Sequence, residues 1–160
     1  MKKFCLILLC SAIFFPAISC ASDESSGRQA HGDFTDIQGK EWVLFEIRRG
    51  AETIRLDREA LETFGFNGVY TITFEDGRVS GAGAPNRFFG PFTEGEGGAL
   101  SIGLLGHTLM AALFEPDDLR EHEYFAYLSG VTRWHLHDGR LELFTSSDDG
   151  IEAVLVFALN

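Results

Sequence analysis

Twice in this chain an Asp-Gly pair stands between two runs in which apolar and polar residues alternate. Asp76-Gly77 separates Tyr70-Thr71-Ile72-Thr73-Phe74 from Arg78-Val79-Ser80-Gly81, and Asp138-Gly139 separates residues 132–137 from 140–144. Alternation puts every second side chain on one face of an extended strand, so Tyr70, Ile72 and Phe74 are expected on the same side. A two-residue loop that follows the twist of its strands needs positive φ at both positions, which Asp-Gly tolerates well. Both segments therefore predict tight antiparallel hairpins.

Between them lies Gly81-Ala82-Gly83-Ala84-Pro85-Asn86-Arg87-Phe88-Phe89-Gly90. Three glycines, a proline and two adjacent phenylalanines predict a sharp turn that keeps aromatic mass in the core. On a strand, Phe88 and Phe89 point to opposite faces. Asn86 is expected to hold the turn by bonding its own backbone. The functional alternative is a recognition surface made by Asn86, Arg87 and the exposed phenylalanine, a composition common at partner sites.

Further strands are expected at 41–48, 53–56, 88–93, 100–102 and 153–157. A brief helix over 57–64 has Asp57 as N-cap and Gly65 as stop. The main helix spans 115–130, with Asp117 placed to cap it, acids in its first turns and Gly130 at its end. Glu121, Phe125 and Leu128 share one stripe of that helix. Seven or so short strands and one main helix predict an α+β domain, mainly antiparallel β-sheet and barrel-like.

The N-terminus reads differently. Met1-Lys2-Lys3 precedes an apolar run from Phe4 to Pro16, the pattern of a signal peptide and too short to span a bilayer, which takes about 20 apolar residues. Ala17-Ile18-Ser19-Cys20 resembles the lipobox of bacterial lipoproteins, although Ala17 stands where Leu is usual. The resemblance implies cleavage before Cys20 and lipid modification of that cysteine; ordinary signal cleavage near Ala21 is the alternative. The expected organisation is a leader over 1–19, a flexible tether over 20–36, rich in small, polar and acidic residues, and one domain over 37–160. A chain so processed is exported and held on a membrane of the bacterial envelope, at its periplasmic or surface face.

Cys5 and Cys10 leave with the leader, so Cys20 is the one cysteine of the mature chain. No internal disulfide, cysteine-ligated zinc or cysteine nucleophile is expected in the globule. The net charge of −11 becomes −13 once Lys2 and Lys3 are removed. Such a balance argues against nucleic acid, which requires clustered Lys and Arg, and against electrostatic docking on anionic lipid.

Catalytic patterns fail on context. No Gly-x-Ser-x-Gly elbow is present, and Gly81-x-Gly83 runs into Pro85 rather than a helix, unlike a dinucleotide fingerprint. His135 and His137 share a strand face, a spacing seen in some metal sites, but no third ligand is apparent. His122, between Glu121 and Glu123, reads as a solvated helix face. No enzyme activity, metal or cofactor is expected.

Residues 73–81 (Thr-Phe-Glu-Asp-Gly-Arg-Val-Ser-Gly), Asn86-Arg87-Phe88-Phe89-Gly90 and Thr108-Leu109-Met110-Ala111 then carry a resemblance, over about residues 39–160, to the META domain, or HslJ-like, family. It implies one antiparallel β-domain packed on a helix, in exported bacterial proteins linked to heat shock and in one case to antibiotic tolerance, without an established molecular activity. The family usually carries a cysteine before the asparagine and another after Thr-x-Met-Ala; Pro85 and Ala112 stand there. The paired absence predicts that Pro85 and Ala112 lie close in space. The expected function is a non-catalytic, stress- or envelope-related lipoprotein domain with an unknown envelope partner; the alternative is a carrier of a small apolar ligand.

Overall fold

The computed structural model describes residues 32–111, 116, 119–146 and 150–160. These residues form ten strands: β1 (Trp42–Arg49), β2 (Glu52–Arg55), β3 (Thr71–Glu75), β4 (Arg78–Ala82), β5 (Arg87–Glu94), β6 (Leu100–Ile102), β7 (Gly106–His107), β8 (Val131–His137), β9 (Arg140–Ser146) and β10 (Glu152–Leu159). Helix α1 (Arg58–Thr63) and the main helix α2 (Glu121–Ser129) complete the set, with 3-10 turns at Phe34–Asp36 and Glu96–Gly98.

The strands run β6-β5-β4-β3-β1-β10-β9-β8, each pair antiparallel, with β2 beside β1 and β7 beside β5. A bridge between Ala99 and Arg133 draws β6 toward β8 and nearly closes a barrel. Both Asp-Gly turns have the expected geometry: φ is +48° and +72° at Asp76 and Gly77, and +49° and +71° at Asp138 and Gly139.

Inward-facing Ile72, Phe74, Val79, Leu141, Leu143, Leu155 and Phe157 are fully buried, each worth about 1.5–3 kcal/mol of transfer free energy. Two aromatic clusters fill the interior. Phe34 meets Phe74, Phe92 and Trp134 at ring separations of 5.2–5.6 Å. Around α2, Tyr124 packs edge-on against Tyr70 and Phe88, and Phe125 meets Phe88 and His107.

Several expectations are corrected. The tether does not extend to residue 36: Phe34 is 3% exposed and Ile37 fully buried, because the Phe34–Asp36 turn, capped by the Asp33 carboxylate, folds Phe34 into the aromatic cluster. The imperfect alternation of β1 is a bulge: Leu44 faces Phe157 and Glu46 faces Val156, leaving Phe45 as the extra residue. Tyr70 is fully buried but precedes its strand, with φ +54°.

The main helix starts at Glu121, not 115. Leu119 is buried and its carbonyl accepts from the Tyr70 hydroxyl, and Arg120 is extended as the N-cap, its N–H donating to the Glu123 carboxylate at 2.9 Å. Short β7, which has no alternation to betray it, was not expected. The expected cap Asp117, the tether residues up to 31, and Cys20 lie outside the described residues.

Candidate functional site

Residues 81–90 close against α2 and the segment after β7. The Gly81 and Gly83 positions are set by close approach. A Cβ on Gly81 would stand 2.0 Å from the Thr71 carbonyl, and one on Gly83 would stand 2.7 Å from Glu121 Oε1. The turn between them and β5 contains a cis Ala84–Pro85 bond, and the Gly83 N–H donates to the Asn86 carbonyl at 2.6 Å.

Asn86 does not bond its own backbone through its side chain, as the sequence suggested. It is 5% exposed and reaches across the fold. Its Oδ1 accepts from Thr108 Oγ1 at 2.8 Å and from the Met110 N–H at 2.7 Å. Its Nδ2 donates to the Met110 carbonyl at 3.2 Å and to Glu121 Oε2 at 2.6 Å. The Glu121 carboxylate also takes the Asn86 backbone N–H, at 2.5 Å. Both side-chain ends of Asn86 are thus engaged inside the fold, and Arg87 is the member of the pair whose side chain lies at the surface.

The expected contact between Pro85 and Ala112 lies outside the described residues, Ala112 being among those not described; two residues earlier, the Asn86–Met110 contacts bring the same segments together. Glu121 was missed as a clamp. Its signal was present, since a carboxylate shared an otherwise apolar stripe with Phe125 and Leu128.

Phe88 and Phe89 divide between faces as expected: Phe88 is 2% exposed and Phe89 52%. Arg78 stands over the Phe89 ring, 5.5 Å from its centre. On the outer face of β3–β4–β5 a groove of about 430 Å³ is lined by Glu41, Asn67, Thr73, Ser80, Arg87 and Phe89. A smaller hollow of about 270 Å³ adjoins it beyond Phe89, walled by Arg78, Pro91 and Leu104. A larger hollow, about 1150 Å³, borders β8, β9 and β10; there Arg133 is committed to the Phe144 ring, 4.2 Å from its centre.

Three titratable groups elsewhere, Tyr124, Arg58 and Glu46, are held by structural contacts. Tyr124 donates to the Thr71 carbonyl at 3.1 Å, and full burial pushes its hydroxyl pKa upward. The Arg58 guanidinium bonds the Leu44 and Val69 carbonyls, and its burial lowers its pKa. The Arg48 hydrogen bond, with a lesser one from Arg55, holds Glu46 below the usual carboxylate range.

His135 and His137 stack at 5.6 Å with ring planes 13° apart. Face-to-face rings aim their in-plane lone pairs side by side rather than at one point. Among the described residues no group of three metal-ligating side chains forms.

The META domain family model matches residues 35–156. A solution structure of a protein from Burkholderia xenovorans is similar in fold, with a TM-score of 0.60 and 19% identity over 100% of this chain and 99% of that one. Among curated proteins, none matches.

Proposed function

The chain belongs to the META domain family, which is not a known enzyme family, and on that premise we propose that it is a non-catalytic, lipid-anchored domain of the bacterial cell envelope that recognises a partner through the outer face bearing Arg87 and Phe89. One observation carries this reading: the interior is occupied by packed aromatic rings, while a guanidinium with no hydrogen bond or ion pair among the described residues and a half-exposed phenyl ring stand together outside. Aromatic and arginine side chains are the ones enriched at binding surfaces. Asn86 supports the face from beneath by fixing the turn that presents Arg87.

The packed interior also ranks this reading above that of an apolar-ligand carrier, which needs an enclosed apolar cavity of a few hundred Å³. The anchor rests on the lipobox-like run ending at Cys20, and the stress-related role on the family. Membrane fractionation tests the anchor: acyl label should appear on the wild type and vanish with Cys20→Ser, and a Cys20→Ser form that stays membrane-bound refutes it. Capture of partners by the anchored protein tests the surface, since an Arg87→Ala variant with an unchanged partner set would remove Arg87 from recognition.

A further inference from the structure

The groove beside Arg87 has a lining unlike that of the other hollows. Among the described residues, the side chains of Asn67, Thr73, Ser80 and Arg87 make no hydrogen bond or ion pair with one another or with the rest of the fold. Their positions follow from register. Thr73 pairs with Ser80 and Ser80 with Phe89, so the two hydroxyls and the ring form one outward row across β3, β4 and β5; Ala82 pairs with Arg87 in the next outward row. Small Ala82 leaves the floor of the groove low, and Phe89 walls it. Glu41 also lines the groove and adds acceptor oxygens, one of which accepts from Asn160 Nδ2 at 2.5 Å.

The chemistry of a ligand follows by elimination. β4 is paired with β3 on one side and β5 on the other, and the far edge of β3 is taken by β1 at Thr71 and Ile72 and by a bridge from Gln38 at Phe74, which leaves no continuous free edge for an extended peptide to add as a strand. One guanidinium, with Glu41 nearby, is a poor match for a multiply charged phosphate. Polar walls disfavour a purely apolar guest. Two hydroxyls and an amide offer donors and acceptors together, and a phenyl face carries the negative quadrupole on which polarised C–H groups rest. That combination suits a pyranose ring, apolar on its faces and hydroxylated at its rim. At about 430 Å³, the groove lies in the size range of small-ligand sites, roughly 300–1,000 Å³.

Resting on the reading of the Arg87 face as the recognition surface, we infer that this groove binds a saccharide, and that Arg87 selects a sugar bearing one carboxylate over its neutral counterpart. Asn67, Thr73 and Ser80 take the ring hydroxyls, Phe89 supports a ring face, and Arg87 receives the carboxylate as a charge-assisted pair.

The test titrates the ¹⁵N-labelled full-length chain, carrying Cys20→Ser to keep it free of lipid, with three probes. These are the disaccharide of N-acetylglucosamine and N-acetylmuramic acid, which carries one carboxylate, neutral N,N′-diacetylchitobiose, and inorganic phosphate. Saturable amide shifts should centre on Asn67, Thr73, Ser80, Arg87 and Phe89 with both sugars. Arg87→Ala should weaken the acidic disaccharide about tenfold, the loss of one charge-assisted hydrogen bond, and leave N,N′-diacetylchitobiose within about twofold. Ser80→Ala with Thr73→Val should weaken both sugars, and amide spectra of each variant establish that it is folded.

Shifts that are absent, or that lie elsewhere, overturn the inference. So does phosphate reproducing the sugar's shifts, which would mark an anion site. If the sugars fail while Arg87→Ala still alters the partners captured from membranes, the ligand class falls and the recognition surface stands. If both fail, the surface falls too.

Discussion

Replacing Asn86 by alanine should destabilise the domain by about 3 kcal/mol. The side chain makes four hydrogen bonds: two accepted from Thr108 and Met110, one donated to the Met110 carbonyl and one to the Glu121 carboxylate. A neutral bond contributes about 1 kcal/mol net and one to a charged group about 2 kcal/mol, which gives roughly 5 kcal/mol as an upper figure. Thr108 and Met110 are themselves exposed, so water replaces part of what they lose, and about 3 kcal/mol remains. Urea unfolding followed by Trp42 and Trp134 fluorescence measures it. A double-mutant cycle with Glu121→Ala isolates the charged contact, with about 1.5–3 kcal/mol of coupling expected. Glu121→Gln should not rescue. Two N–H donors converge on the two carboxylate oxygens, and an amide offers an acceptor for only one of them. A loss below about 1 kcal/mol for Asn86→Ala, or additive behaviour with Glu121→Ala, would refute the view that this pair clamps the turn.

Glu46 links stability to pH. Its folded pKa is depressed by the Arg48 hydrogen bond above all, so its contribution is fully present above the ordinary glutamate value of about 4.3 and is lost as pH falls through the lower folded value. The urea midpoints of wild type and Glu46→Gln should therefore differ at pH 6–7 and converge only as pH falls through the lowered folded value; a constant gap contradicts the linkage. Phe34→Ala should cost about 3–5 kcal/mol by opening a cavity among Phe74, Phe92 and Trp134, and an unchanged thermal midpoint would return Phe34 to the tether. Gly81→Ala drives a methyl to 2.0 Å from the Thr71 carbonyl, so loss of cooperative unfolding is expected by circular dichroism, and a well-folded variant would contradict that close approach.

Local chemistry made much of the fold legible. Asp-Gly turns, strand alternation and Asp57 as the cap of α1, where its carboxylate accepts from the Ala60 N–H at 3.0 Å, each act within a few residues. Their physics is therefore complete in the local sequence. Even the opposed faces of Phe88 and Phe89 follow from strand periodicity alone. Helix propensity and acidic residues favour an earlier start for α2, whereas burial of Leu119 and its bond from the Tyr70 hydroxyl keep Leu119 ahead of the helix, which begins at Glu121.

The site was less legible, since its bonds join distant residues. Asn86 meets Met110 across 24 positions and Glu121 across 35, and a locally plausible Asx turn competes with that outcome in any reading of the sequence. The groove is likewise a product of register, which aligns Thr73, Ser80 and Phe89 from three strands. By itself the sequence determined antiparallel hairpins, an acidic surface and a globule without cysteine, because those follow from backbone preference and composition. Only the tertiary structure decided that Phe34 belongs to the core, that Asn86 is a clamp, and that Arg87 lies exposed beside Phe89. In each case the deciding contact needs a partner that folding alone brings within reach.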